Sequence, residues 1–260
     1  MKWRPWPFPG TGVAALLALL LLYVPVVVVV ALSFNSNPLI TVWSGASLEW
    51  YAALAGDRPL LEALRNSARI AVCATVASTL LAAGAALGMQ RAAFRGRTGI
   101  ETLIGLPLLV PEIVGAIAVL LAFVVVGIPL GTGAIIAAHT VLALPFAYLP
   151  IRTRLHGLDP ALAEAAADLY AEPWRAFRRI TLPLIWPGIV AGAMLGFVVS
   201  LSDFTFAFFL ASPGTTTLPV YVFGMIRVGL TPVVNAISTV LILLSLLLLA
   251  VSQRLGRHNV

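Results

Sequence analysis

Six stretches of the chain, at about 13–34, 64–89, 101–126, 133–151, 184–210 and 233–253, are each apolar over the roughly 20 residues that a helix needs to cross a bilayer. No other feature limits the fold so sharply, because a segment in hydrocarbon must satisfy its own backbone hydrogen bonds and therefore coils into a helix. Of the 260 residues, 60% are hydrophobic and 10% charged, and the mean hydropathy of +1.02 is far from that of a soluble domain. The pattern predicts an all-α integral membrane protein with six transmembrane helices. It forms a single domain over 1–260, with a core at 62–254 and no linker, internal repeat or low-complexity segment. An even number of spans puts both ends on one side.

The basic residues say which side, since Lys and Arg accumulate in cytoplasmic loops near membrane spans. With the N-terminus inside, Lys2, Arg4, Arg91, Arg95, Arg97, Arg152, Arg154, Arg175, Arg178, Arg179, Arg254 and Arg257 are cytoplasmic, and only Arg58, Arg65, Arg69 and Arg227 lie on or near the other face. The net charge of +6 is therefore mainly a topology signal. No Lys/Arg stripe with interleaved aromatics points to nucleic acid. Lys2 and Arg4 precede an apolar run that is too long for a signal peptide's core and lacks a small-residue cleavage site, so a retained first span is expected. The single cysteine, Cys73, lies within the second span and is expected to be a small packing residue.

On the outer side, about 30 residues separate the first two spans. Trp43, Trp50 and Tyr51 there are expected to anchor at the headgroups, with a short interfacial helix at about 48–55. On the inner side the longest loop, at about 152–183, joins spans four and five. Asp159-Pro160 and Glu172-Pro173 each read as a helix start, an acidic cap followed by proline at the first helical position. They predict two short helices, the first through Leu169 and the second from Trp174 to about Thr181, where Pro183 interrupts it. In the first, Ala163, Ala165, Ala166 and Ala167 leave a slim surface with Glu164 and Asp168 along one edge. Such a helix can enter a groove on another protein, or be an ordinary helix of high alanine propensity. Arg175, Arg178 and Arg179 on the second either meet acidic groups of a partner or reflect the positive-inside bias.

This loop resembles the "EAA" loop of the membrane subunits of bacterial ABC importers, through which such subunits grip their ATPases. Glu164-Ala165-Ala166 and the closing Ile180-Thr181-Leu182-Pro183 stand as in that pattern, whereas the Gly that follows after three further residues is Tyr170 here. Glycine would permit a left-handed turn between the helices. Either the turn differs in this chain or the tyrosine contacts the ATPase or a neighbouring loop. The similarity runs from about Asn66 to Arg254 and is greatest to the second permease of spermidine/putrescine importers. Pro111-Glu112-Ile113-Val114, Ala138-His139-Thr140, Leu144-Pro145-Phe146, Ser200-Leu201-Ser202-Asp203-Phe204 and Gly229-Leu230-Thr231-Pro232 carry it.

The resemblance implies an inner-membrane permease that pairs with a homologous permease, sits on an ATP-binding subunit dimer and receives solute from an extracytoplasmic binding protein. Its coupling residues would be Glu164, Ala165, Ala166, Asp168, Tyr170, Ala171, Arg175 and Phe177. ATP and Mg would be bound by the partner ATPase, and no cofactor, metal site or catalytic residue is expected in this chain. The sequence agrees: it has no G-x-x-x-x-G-K-[ST] loop, and its only lysine is Lys2. Within the spans Asp203, Glu112 and His139 are the candidates for the translocation path, because ionisable groups in a membrane are costly and usually face protein or water. Pro107 and Pro111, one turn apart, should kink the third span beside Glu112. Two carboxylates along the route favour a small cation such as a polyamine. A permease for 4-aminobutyrate, an opine or an aminophosphonate is the alternative, and a secondary transporter would leave the EAA loop unexplained.

Overall fold

The computed structural model describes residues 11–39, 42–91, 96–159, 161–229 and 231–243, and apart from one isolated bridge between Asn35 and Ala46 its regular elements are helical. In chain order they are α1 (Thr11–Leu32), α2 (Glu49–Gly56), α3 (Arg58–Arg91), α4 (Arg97–Leu109), α5 (Glu112–Val126), α6 (Thr132–His156), α7 (Ala161–Asp168), α8 (Pro173–Ala176), α9 (Leu182–Ser202), α10 (Thr205–Leu210) and α11 (Leu218–Val228). A shorter apolar helix, α12 (Pro232–Leu243), follows. Four helices among the described residues are long and apolar enough to cross a membrane, and five if the bent pair α4 and α5 counts as one. The second half of the sixth expected span, 244–253, lies outside the described residues. The chain divides into two units, 1–58 with 222–249 and 59–221 with 250–260.

In the first unit α1 buries none of its side chains, as suits a helix of Leu and Val with no polar stripe to hide. The chain after it is tightly built. Asn35, fully buried, donates from Nδ2 to the Val42 carbonyl at 2.8 Å and accepts at Oδ1 from the main-chain N–H groups of Asn37 and Ser44 at 3.2 and 3.1 Å. The Trp50 indole donates to the Asn35 carbonyl at 2.7 Å, and Tyr51 Oη meets Ser33 Oγ at 2.6 Å. A short helix, α2, is present where one was expected at about 48–55. Trp50 and Tyr51 are thus half-buried and hold this loop, whereas Trp43 is exposed.

The second unit is organised on α6. Ala147, Tyr148, Ile151 and Leu155 in its second half pack with Ala82, Ala86 and Met89 of α3, Ile104 of α4 and Ile185 of α9. In its first half Ala134, Ile135 and Ala138 pack with Ile70, Ala116 and the α10 residues Phe206, Ala207 and Leu210. Between the two clusters runs a stripe of small residues on α9: Gly188, Gly192, Gly196 and Ser200, all buried and four apart. A Cβ on Gly192 would stand 2.5 Å from the Ala147 carbonyl oxygen, and one on Gly188 3.0 Å from that of Pro150. The two backbones touch, which is how membrane helices gain packing without a hydrophobic driving force. Cys73 lies on the exposed side of α3 and is not the packing residue expected.

Two breaks differ from expectation. Within the expected third span the chain bends by 112° between α4 and α5, far more than a proline kink, because Val110 and Pro111 both leave helical geometry, with ψ of 129° and 130°. Proline at 111 excludes its predecessor from the α region. Pro183, by contrast, ends nothing: Pro173–Ser202 is continuous. Phe177–Thr181 forms a π turn in which the Leu182 N–H reaches the Phe177 carbonyl, and the proline is seated near the start of α9, where it withdraws no essential donor.

Candidate functional site

Both breaks that carry an acid face the same space. A cavity of about 920 Å³ is bounded by α4, α5, α6, α9 and α10, and Glu112, Ser202 and Asp203 line it among apolar residues such as Phe146, Val199 and Phe206. Glu112 begins α5, where the positive end of the helix dipole favours a carboxylate, and it is exposed. Asp203 follows the last residue of α9 in an extended conformation, so the chain breaks at an acid between α9 and α10 as it does between α4 and α5. Interrupted helices in a membrane are tolerated where the freed backbone meets protein or a cavity.

Asp203 and His139 are not two separate posts on a path. His139 Nε2 lies 3.0 Å from Asp203 Oδ1, with side chains 1% and 2% exposed, and His139 does not line the cavity. Its other nitrogen, Nδ1, is 2.8 Å from Ser200 Oγ. The glycine stripe makes this possible, since Ser200 is its next step and close approach of α9 to α6 brings the serine to the ring. Asp203 Oδ1 also accepts from the Ala207 N–H at 3.1 Å, tying the start of α10. The second oxygen, Oδ2, is buried and has no hydrogen-bond partner among the described residues. The sequence could have revealed the G-x-x-x-G-x-x-x-G-x-x-x-S repeat, but not the pairing it produces.

At the far end of α6, Glu101 Oε1 receives Arg97 Nε at 3.2 Å and Arg152 Nη2 at 3.3 Å. This pins the first turns of α4 to the end of α6. The loop at 152–183 leaves from here. Asp159 Oδ1 accepts from the Ala161 N–H at 2.9 Å, so the expected cap starts α7. The helix stops with the 6→1 bond of a Schellman turn, Ala171 N–H to the Ala166 carbonyl at 3.0 Å. That turn puts Tyr170 at φ 52°, the left-handed conformation glycine would favour. The turn is therefore the same as with glycine, at a cost of roughly 1–2 kcal/mol for a residue with a Cβ.

Within α7, Glu164, Ala165 and Asp168 are exposed, whereas Ala166 is only 5% exposed and faces the protein itself. Its place on an outward docking face is thereby corrected. The prominent outward side chains are Leu169, 81% exposed, and Tyr170, 96% exposed. Leu169 was not among the expected coupling residues. Ala171 is half-buried, Arg175, Arg178 and Arg179 are exposed, and the Phe177 ring stacks on Trp174 at 5.4 Å.

A family model described as "Binding-protein-dependent transport system inner membrane component" matches residues 63–259. The Spermidine/putrescine transport system permease protein PotC of Escherichia coli (strain K12) is 34% identical over 227 residues, 87% of this chain and 86% of the relative. The Putrescine transport system permease protein PotI of the same strain is 39% identical over 217 residues, 81% of this chain and 77% of the relative. Among solved structures, a chain of a bacterial ABC transporter involved in the import of the acidic polysaccharide alginate superposes with a TM-score of 0.73 at 17% identity, covering 96% of this chain and 99% of that one, a likeness of fold. Interrupted helices around one cavity, a two-helix polar loop and these matches agree, and the chain belongs to the binding-protein-dependent transport system inner membrane components, the permease subunits of ABC importers.

Proposed function

We propose that this permease carries a small cation, a polyamine of the spermidine or putrescine kind, through the cavity between its two interrupted spans. The observation that carries the reading is the cavity wall itself, where Glu112 and Asp203, one from each break, are the ionisable groups among apolar residues. Carboxylates in a low-dielectric passage attract cations, and two of them graded along a route allow release as well as entry. The names of the relatives above point the same way. His139 contributes from behind Asp203 rather than as a third post. Ser44 and Ser212 would lie outside, and Thr98 and Leu169 in the cytoplasm, in a six-span arrangement with both termini inside. The homologous permease, the ATPase dimer that binds ATP and Mg, and the extracytoplasmic binding protein complete the machine.

Uptake of radiolabelled putrescine, spermidine, 4-aminobutyrate and an anionic competitor tests the solute. Amine uptake is expected, and Asp203→Asn should lower it about tenfold, the loss of one charge-assisted contact. Carriage of the anion alone would overturn the reading. For topology, single cysteines in a Cys73→Ala background, needed because Cys73 is itself exposed, should label from outside at Ser44 and Ser212. At Thr98 and Leu169 they should label only after permeabilisation. The reverse pattern would sink the orientation.

A further inference from the structure

Of the two acids on the cavity, Asp203 is the one whose surroundings are specifically prepared. Its Oδ1 accepts from the Ala207 N–H and lies 3.0 Å from His139 Nε2, while Oδ2 and Nε2 are both buried with no hydrogen-bond partner among the described residues. A buried carboxylate oxygen left bare is costly, so the arrangement is complete only when a donor arrives. The neighbouring Ser202 points into the same cavity. Its Oγ donates to the Val198 carbonyl at 2.8 Å, which uses its one proton and leaves oxygen lone pairs to accept. The last turn of α9 ends at this point and presents the negative pole of that helix.

We propose that the break between α9 and α10 is a primary-ammonium subsite, formed by Asp203 Oδ2 and Ser202 Oγ, with His139 as the positioning residue. An ammonium offers three N–H donors and a full charge, which match one carboxylate oxygen, one hydroxyl oxygen and a helix C-terminus. A bare Nε2 lone pair facing a carboxylate at 3.0 Å would repel it, so the tautomer with its proton on Nε2 is favoured and attracts Oδ1 by charge rather than through an aligned hydrogen bond. Ser200 on Nδ1 fixes the ring that does so. His139 therefore decides which oxygen is free. The subsite selects for N–H donors and not merely for positive charge, so a diamine methylated to a quaternary ammonium at both nitrogens, which has no N–H, is excluded. This rests on the polyamine reading and sharpens it to one end of the molecule.

The test is protection of a cysteine placed on the wall. Val199→Cys in the Cys73→Ala chain, in membranes, is reacted with a water-soluble maleimide with and without putrescine or its bis-quaternary N,N,N,N′,N′,N′-hexamethyl analogue. Putrescine should slow labelling and the methylated diamine should not. His139→Leu should weaken protection about tenfold, as expected for loss of a charge-assisted contact, and His139→Gln, which restores a donor near Nε2, should recover most of it. A role of His139 in folding alone would change the unprotected labelling rate and would not be rescued in this way. Ser202→Ala, an exposed position, should also weaken protection and covers the case in which His139→Leu fails to accumulate. Equal protection by both diamines, or protection unchanged in His139→Leu and Ser202→Ala, overturns the subsite. If protection behaves as expected but cells import no amine, the subsite stands and the polyamine transport reading falls.

Discussion

Gly192→Val is expected to leave almost no folded permease in the membrane. Even the first carbon of the new side chain would lie 2.5 Å from the Ala147 carbonyl oxygen and 3.1 Å from its Cα, and backbone on a neighbouring helix cannot rotate aside as a side chain can. Overpacking of a core typically costs 1–3 kcal/mol, and Gly192→Ala should reach about the upper end of that range because helix α9 must withdraw as a body. Withdrawal would also lift Gly188 and Gly196 from α6 and pull Ser200 from His139, so cavity and core are lost together. Gly105→Ala, which meets open space, is the matched control and should be neutral or gain up to about 1 kcal/mol of helix propensity. Thermal midpoints of detergent-solubilised protein, read as the monodisperse fraction after heating, decide it. A Gly192→Ala protein that melts with the wild type would show that the α6–α9 contact does not govern stability.

That contact also marks where reading the sequence stops. Hydropathy finds the four or five long apolar helices because crossing a bilayer is a local requirement, and Asp159 announces α7 because capping is local too. The four-residue repeat from Gly188 to Ser200 is visible in the sequence, but which helix it meets depends on closure of the whole bundle. The same holds for His139 and Asp203, which are 3.0 Å apart in space although 64 residues (203 − 139) separate them in the chain. Proline rules misjudged both breaks for opposite reasons. At Pro111 two extended residues turned a kink into a sharp bend, whereas at Pro183 a π turn upstream absorbed the missing donor. In α7 the face was hard to read, since Ala165 and Ala166 are the same residue type and only the fold decides that Ala166 turns inward while Ala165 stays exposed. Tyr170 shows a local preference overridden, as the Schellman bond from Ala171 holds it left-handed despite its Cβ.

Leu169→Asp is expected to reduce transport and ATPase co-purification by more than about tenfold while leaving membrane insertion intact. An 81% exposed leucine beside a 96% exposed tyrosine is an unusual pair to leave in water, and buried apolar anchors of this kind are the residues whose loss costs an interface about 2 kcal/mol or more. A charge at Leu169 removes the anchor and adds desolvation cost, yet touches nothing buried in the chain. Tyr170 allows a finer separation of shape from contact. Tyr170→Gly keeps the left-handed turn and relieves roughly 1–2 kcal/mol of backbone cost, so the loop gains stability while losing the ring. Tyr170→Ala loses the ring and keeps the strain. If the ring docks against the ATPase, both variants lose coupling to a similar degree even though the glycine loop is the more stable of the two. Should Tyr170→Gly transport as well as the wild type, the ring is dispensable and the tyrosine merely fills a glycine's turn. Should Leu169→Asp also do so, this loop is not the element through which the ATPase drives the cavity.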